Sequence, residues 1–258
     1  IVFSGYSERI PYLMKALAKK LKSITIEETH FEMVKDELKR TIENASLDAS
    51  YRQLLYDLKY LSYKNAIHRS DYYDPATGID FISAITLDEL KAYVSKDLYR
   101  QIAIEGVSYG NLEAQTVKEA LEAFPQALQA TVLPPEERPK DEIIEIPQGA
   151  SQAFVRTTKT NNNCFALEVQ FGNVSPKLEA ALRTGHAQIQ TSFYNELRTK
   201  QQLGYIVFSG IRPAEDTAAL LFLVQSSTND PFDIAHRVET WVGETLKNLS
   251  TVSDSEFK

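Results

Sequence analysis

Leu197-Arg198-Thr199-Lys200-Gln201-Gln202-Leu203-Gly204-Tyr205-Ile206-Val207-Phe208-Ser209-Gly210 is the stretch in which the chain changes its period. Upstream, Leu178, Leu182, Ile189, Phe193 and Leu197 recur at helical spacing behind Ser175-Pro176, a capping residue followed by a first-turn proline. Downstream, Gly204 to Ser209 and Ala218 to Gln225 read as strands. Pro231 then opens a closing helix with Ile234, Val238, Trp241, Val242, Leu246 and Leu249 on its buried side. Before the long helix, Ile144 and Ile146, then Phe154, then Phe165, Leu167, Val169 and Phe171 alternate with polar residues, as antiparallel strands with one buried face do. Helices alternating with antiparallel strands in this way predict the α+β class.

Further out, Thr131 to Glu142 interleaves Pro134, Pro135 and Pro139 with charged residues, a composition that forbids helix and central strand and marks a boundary. The first half is expected to be mostly helical. Ile10, Leu13, Met14, Leu17 and Leu21 form one amphipathic stripe, with Pro11 in its first turn. Phe31, Val34, Leu38 and Ile42 form a second, behind a capping box at Thr25 and Glu28. Tyr51, Leu54, Leu55, Leu58 and Leu61 form a third, and Thr86 with Glu89 opens a fourth. Asp71 to Asp80, with Pro75 and Gly78, reads as a loop; Ile102 and Ile104 read as a strand; Gly110 and Asn111 precede a helix through Val117, Leu121 and Phe124.

Ile1-Val2-Phe3-Ser4-Gly5 recurs as Ile206-Val207-Phe208-Ser209-Gly210, each copy followed by a proline-opened helix, which predicts an internal repeat with both segments in equivalent strands. The chain opens on this apolar triplet without a methionine, so it is read as part of a longer protein.

Composition excludes several classes. Of 258 residues, 43% are hydrophobic and 24% charged, ordinary globular usage that rules out disordered and collagen-like chains. The longest apolar run, Ala218 to Val224, is far short of the roughly 20 residues a transmembrane helix needs. A net charge of -7, spread over both halves, offers no basic face to a nucleic acid. The lone Cys164 excludes an intramolecular disulfide framework, suits a reducing compartment and reads as a buried structural thiol.

His30, His68, His186 and His236 form no HxxxH, HExxH or HxxEH pattern, so no metal is expected in this chain. His236 and Glu239 share a spacing that an exposed polar face explains. Neither GxGxxG, GxxxxGK[ST] nor GxSxG is present, and no other cofactor is expected. The remaining candidates are Arg198 and Tyr205, which emerge on one rim where the helix ends and the strand begins. A guanidinium and a phenol there could donate hydrogen bonds to a peptide carbonyl or an oxyanion formed from it; the same residues also fit a helix-end charge and a strand aromatic.

The run from Leu197 to Gly210, with Ser4-Gly5-Tyr6, Gly110-Asn111 and Asn162-Asn163-Cys164 in support, resembles the insulysin branch of the pitrilysin family of inverzincin zinc metallopeptidases over nearly the whole chain. The resemblance implies four related α/β domains around an enclosed chamber, of which this chain would hold two incomplete ones, each with helices packed on a largely antiparallel sheet. Residues 1–133 would be the later part of the third domain, 134–147 the linker and the strand leading out of it, and 148–258 the earlier part of the fourth. It implies a C-terminal, zinc-free half of a cytoplasmic zinc metalloendopeptidase, inactive alone, with the zinc-binding HxxEH outside this chain. It implies peptide substrates, the N-terminal zinc-binding half as partner and a possible homodimer, with no nucleic acid and no membrane span. Arg198 and Tyr205 match the family positions that hold the substrate backbone and stabilise the reacting carbonyl. Gln201, where close relatives often carry glutamate, changes only the local charge. The alternative is a non-catalytic scaffold or binding subunit on the same fold.

Overall fold

The computed structural model describes residues 1–64 and 75–249. The chain forms two compact units, one of residues 1–40 with 77–140 and the other of residues 41–76 with 141–258.

In the first unit, α1 (Ile10–Lys22) packs against α6 (Ala114–Leu128), burying Ala18, Ala120 and Leu128. Helix α2 (Glu28–Ala45) buries Phe31 and carries the chain into the second unit. It starts at Glu28, with the Phe31 N–H donating to the Glu27 carbonyl at 3.0 Å, so Thr25 lies too early to cap it. The capping box does form where Thr86 opens α5 (Leu87–Lys96). The Glu89 N–H donates to the Thr86 hydroxyl at 3.3 Å, and the Thr86 N–H donates to the Glu89 carboxylate at 2.8 Å. Hydrogen bonds from the Thr86 hydroxyl and backbone hold the Glu89 carboxyl below its ordinary range.

Three expectations for the first half are corrected. Residues 75–80 are helical, within α4 (Pro75–Ala84), because Pro75 stands at the first residue, where a missing N–H costs nothing; residues 71–74 lie outside the described residues. The strand at Ile102 is only β1 (Gln101–Ile102), paired in parallel with β2 (Thr131–Val132), so no antiparallel sheet exists among the described residues of this unit. Ile1 to Gly5 form no strand, and Ile1 and Val2 are almost fully exposed. The same five residue types are strand at 206–210, where a neighbouring ladder supplies the pairing, so the repeat in sequence is not a repeat in local structure.

The second unit holds the sheet that places the chain in the α+β class. Strands β3 (Asn163–Asn173), β4 (Ile206–Ala214) and β5 (Thr217–Ser226) run antiparallel in the order β3-β5-β4, with Leu167 opposite Phe222 and Val207 opposite Val224. Helix α7 (Pro176–Tyr194), capped by the Ser175 hydroxyl, packs on β4, and α8 (Pro231–Leu249) packs on β3. Between them lie Ile189, Phe193, Leu197, Val207, Phe222, Val224, Ile234, Val238 and Trp241. Phe193, Phe222 and Trp241 form an aromatic triad with centroids 5.0 to 5.7 Å apart.

The other side of the sheet is more polar. Helix α3 (Ser50–Ser62) packs on β3 and β5, and its Tyr51 N–H donates to Gln225, whose side chain alternates with core-facing Val224. The buried positions of α3 are Ser50, Gln53, Asp57 and Ser62 rather than the expected leucine stripe, and Leu61 is exposed. Polar burial is tolerated because each group is satisfied: Asp57 pairs with Arg156 at 2.7 Å, and Gln53 donates to the carbonyls of Ser46 and Asp48. Arg212 pairs with Glu168, whose carboxyl is nevertheless pushed up by burial.

The expected strands at Ile144, Ile146 and Phe154 are also corrected. A single bridge joins Ile143 to Tyr63, while the Gln170 side chain accepts from the Ile146 N–H and donates to the Ile144 carbonyl, standing in for a ladder. Phe154 is exposed and outside any strand.

Candidate functional site

The helix-to-strand stretch is built around two leucines. Leu197 and Leu203 are fully buried, and the Leu203 N–H donates to the Leu197 carbonyl at 3.0 Å, closing the turn upon itself. Around Leu197, α7 runs on into a π-helical turn, Asn195–Lys200, after which the Gln201 N–H reaches back to the Glu196 carbonyl at 3.0 Å. Single π turns interrupt helices where a side chain must be re-aimed, and here the residue that follows the Leu197 anchor is Arg198. Gln202 adopts the left-handed conformation, with φ of 53°, and reverses the chain toward β4.

Gly204 then brings the backbone against β5. A Cβ at this position would lie 1.8 Å from the Gln225 carbonyl oxygen and 2.8 Å from its carbon, both backbone atoms that cannot swing aside. Gly204→Ala is therefore expected to destabilise the chain by about 1–3 kcal/mol, read as a lower urea midpoint at unchanged m-value. A midpoint equal to that of the unsubstituted chain would show that the approach is not tight.

Tyr205 follows, 77% exposed, in the bend before β4. The structure brings both sequence candidates together: the Arg198 guanidinium lies 4.7 Å from the centroid of the Tyr205 ring. It also lies 5.0 Å from the ring of Tyr194, a residue the sequence reading missed. The four-residue spacing from Tyr194 to Arg198 was the available signal. Among the described residues Arg198 makes no hydrogen bond or ion pair, so its N–H groups remain available.

The acid in the same turn is engaged elsewhere. Glu196 accepts from Lys200 at 2.8 Å and from the Gln201 side chain at 3.3 Å, and these bonds hold its carboxyl below the usual range. Gln201 in turn accepts from Arg237 at 3.3 Å. A glutamate at 201 would keep Arg237 but face the Glu196 carboxylate, so the amide suits this surrounding. Glu196, Gln201 and Arg237 border a groove of about 340 Å³ that is completed by Asp233, His236, Thr240, Trp241 and Glu244.

The other candidates stay apart. Cys164 is half-buried, and its thiol is pushed up to about 12 by desolvation, opposite to what a reactive thiol needs. His186 contacts the Ser209 hydroxyl at 3.0 Å, His30, His236 and Glu239 are exposed, and His68 lies outside the described residues. Among the described residues no three His, Cys, Asp or Glu side chains converge to hold a metal, so the residues present do not fit a zinc centre. No described helix is long and apolar enough to cross a membrane.

Residues 1–74 match the family model for the middle or third domain of peptidase M16, and residues 185–258, which include the Arg198 turn, match the model for the PQQ synthase PqqF-like C-terminal lobe domain 4. Insulin-degrading enzyme of Homo sapiens is 25% identical over 263 residues, spanning 98% of this chain and 25% of that protein. The chain is an M16 peptidase homologue. A nardilysin-like protein of Arabidopsis thaliana is 24% identical over 260 residues, spanning 98% of this chain and 25% of its own length. The crystal structure of pitrilysin shares the fold, with a TM-score of 0.74 at 21% identity over 98% of this chain and 26% of that one. The resemblance read from the Leu197–Gly210 run and the α+β class are both borne out. This M16 homologue spans about a quarter of the length of the curated relatives it matches.

Proposed function

We propose that this chain is the C-terminal, zinc-free half of an insulin-degrading-enzyme-like zinc metalloendopeptidase and forms part of a chamber that binds and positions peptides. The observation that carries the reading is the Arg198 guanidinium, stacked on tyrosine, free of any acid and beside the exposed Tyr205. In this reading Arg198 donates hydrogen bonds to the carbonyls of an extended peptide backbone. The Tyr205 hydroxyl donates to the reacting carbonyl oxygen as negative charge develops there. Fixing the peptide in this way lowers the entropic cost of reaching the transition state. Zinc, which would polarise the scissile carbonyl, is held by ligands outside this chain.

The domains of the parent are proposed to divide at 1–133 and 148–258, joined by 134–147; the family matches at 1–74 and 185–258 support a third-domain and a fourth-domain character for the two ends of the chain, while the compact units of the structure interleave across that boundary. The N-terminal zinc-binding half is the partner, a homodimer is the proposed assembly, and the cytoplasm is the proposed compartment.

The test is peptide hydrolysis by the full-length protein. A chelator should abolish it, and Arg198→Ala should raise KM about 10-fold or more, the loss of a charge-assisted hydrogen bond of about 1.5–3 kcal/mol. The isolated 258-residue chain should neither retain stoichiometric zinc nor cleave peptides. One tightly held zinc per isolated chain, lost together with activity on chelation, would overturn the reading. Binding of peptide without chelator-sensitive cleavage by the full-length protein would favour the scaffold.

A further inference from the structure

The geometry points to Tyr194 as the positioning residue of the Arg198 site, holding the guanidinium by its ring face so that the N–H edge stays open to substrate carbonyls. This deepens the proposed function and rests on the reading of Arg198 as the group that grips the peptide backbone.

An arginine meant to hold a neutral carbonyl faces a difficulty of its own chemistry. Its five donors form a fork that fits a carboxylate, and a nearby acid would occupy it before any peptide arrived. Here the acid two residues away is kept occupied. The Glu196 carboxylate takes Lys200 on one oxygen and the Gln201 amide on the other. Gln201 is fixed by Arg237, and Arg237 is itself paired with Asp233 at 3.0 Å.

With every acid of that network engaged, something other than a hydrogen bond must orient the long Arg198 side chain. The two rings at 5.0 and 4.7 Å do so. Cation–π attraction acts through the face of the guanidinium and consumes none of its N–H groups.

The two rings differ in how firmly they are held. Tyr205 stands in a bend and is mostly exposed. Tyr194 closes α7, directly after Phe193, which is completely buried in the aromatic triad. Tyr194 is itself 40% exposed, against 77% for Tyr205, and its backbone is anchored through the buried Phe193, so its ring is the firmer of the two platforms. Tyr194 acts through this ring and not through its hydroxyl.

Four variants of the full-length peptidase test the assignment. Tyr194→Leu removes the ring and should raise KM about 2- to 5-fold while kcat changes less, since about 0.5–1 kcal/mol of orientation is lost. Tyr194→Phe should restore the lost KM, and Tyr194→Trp, the best cation–π face, should restore it as well. Tyr194→Leu combined with Arg198→Ala should be no worse than Arg198→Ala alone.

If Arg198→Ala raises KM and Tyr194→Leu does not, Tyr194 has no such role and the reading of Arg198 stands. If Tyr194→Phe behaves like Tyr194→Leu, the hydroxyl is the acting group and the ring-face assignment is overturned. If Arg198→Ala itself changes neither KM nor kcat, the proposed function falls and this assignment falls with it.

Discussion

Tyr205→Phe in the full-length protein is expected, under the proposed function, to lower kcat for peptide hydrolysis on the order of 100-fold or more, the loss of one preorganised donor worth about 2.7–4 kcal/mol. The substitution keeps the ring, so the face that Arg198 packs on at 4.7 Å is retained and KM should change little. Stability should also be nearly unchanged, because the side chain is 77% exposed and its hydroxyl is bonded to no group among the described residues. If the phenol were only a surface aromatic, activity per folded molecule would stay normal. A kcat within about threefold of the unsubstituted enzyme would remove Tyr205 from the chemistry.

The largest expected effect on stability lies behind the rim. Phe193→Ala should cost about 3–5 kcal/mol, because the side chain is wholly buried and its ring packs at 5.1 Å on Phe222 and 5.0 Å on Trp241. The cavity left between Phe222 and Trp241 adds to the transfer term. Urea unfolding of the chain gives the cost, and the single Trp241 supplies a local fluorescence readout. A loss below about 1 kcal/mol would mean that the site repacks freely. Because Tyr194 and Leu197 continue from the same helix, a loosened Phe193 should also widen the spread of Arg198 positions.

What was legible in the sequence followed the strength of local signals. Helix α7, with Ser175-Pro176 at its start and Ile189, Phe193 and Leu197 on its inner face, was readable because capping and period agree there. Strands β4 and β5 were readable because Ile206-Val207-Phe208 and the short apolar run Ala218 to Val224 lie between turn signals, each too short for a helix.

The failures have physical causes. Ile1 to Gly5 carry strand residues but no ladder, and a strand is defined by its partner as much as by itself. In α3 the leucines suggested the inner face, yet the buried positions are Ser50, Gln53, Asp57 and Ser62, because long-range partners such as Arg156 satisfy them. The Ile146 N–H and the Ile144 carbonyl are met by one glutamine side chain and the Ile144 N–H by the Ser62 carbonyl, which no periodicity reports.

At the candidate site, Arg198 and Tyr205 could be paired from their positions. The π turn, the Tyr194 platform and the occupied state of Glu196 could not, since each depends on where a side chain points after the turn closes.

The division into units has a practical consequence for anyone wishing to cut the molecule. Pro134 to Pro139 looks like the natural seam, but residues 41–76 belong with 141–258. A fragment beginning at residue 148 would leave α3 behind, strip the cover that this helix gives to β3 and β5, and strand Arg156 without Asp57. The second unit is stitched from two separate lengths of chain, so a fragment meant to preserve it must keep residues 41–76 together with 141–258.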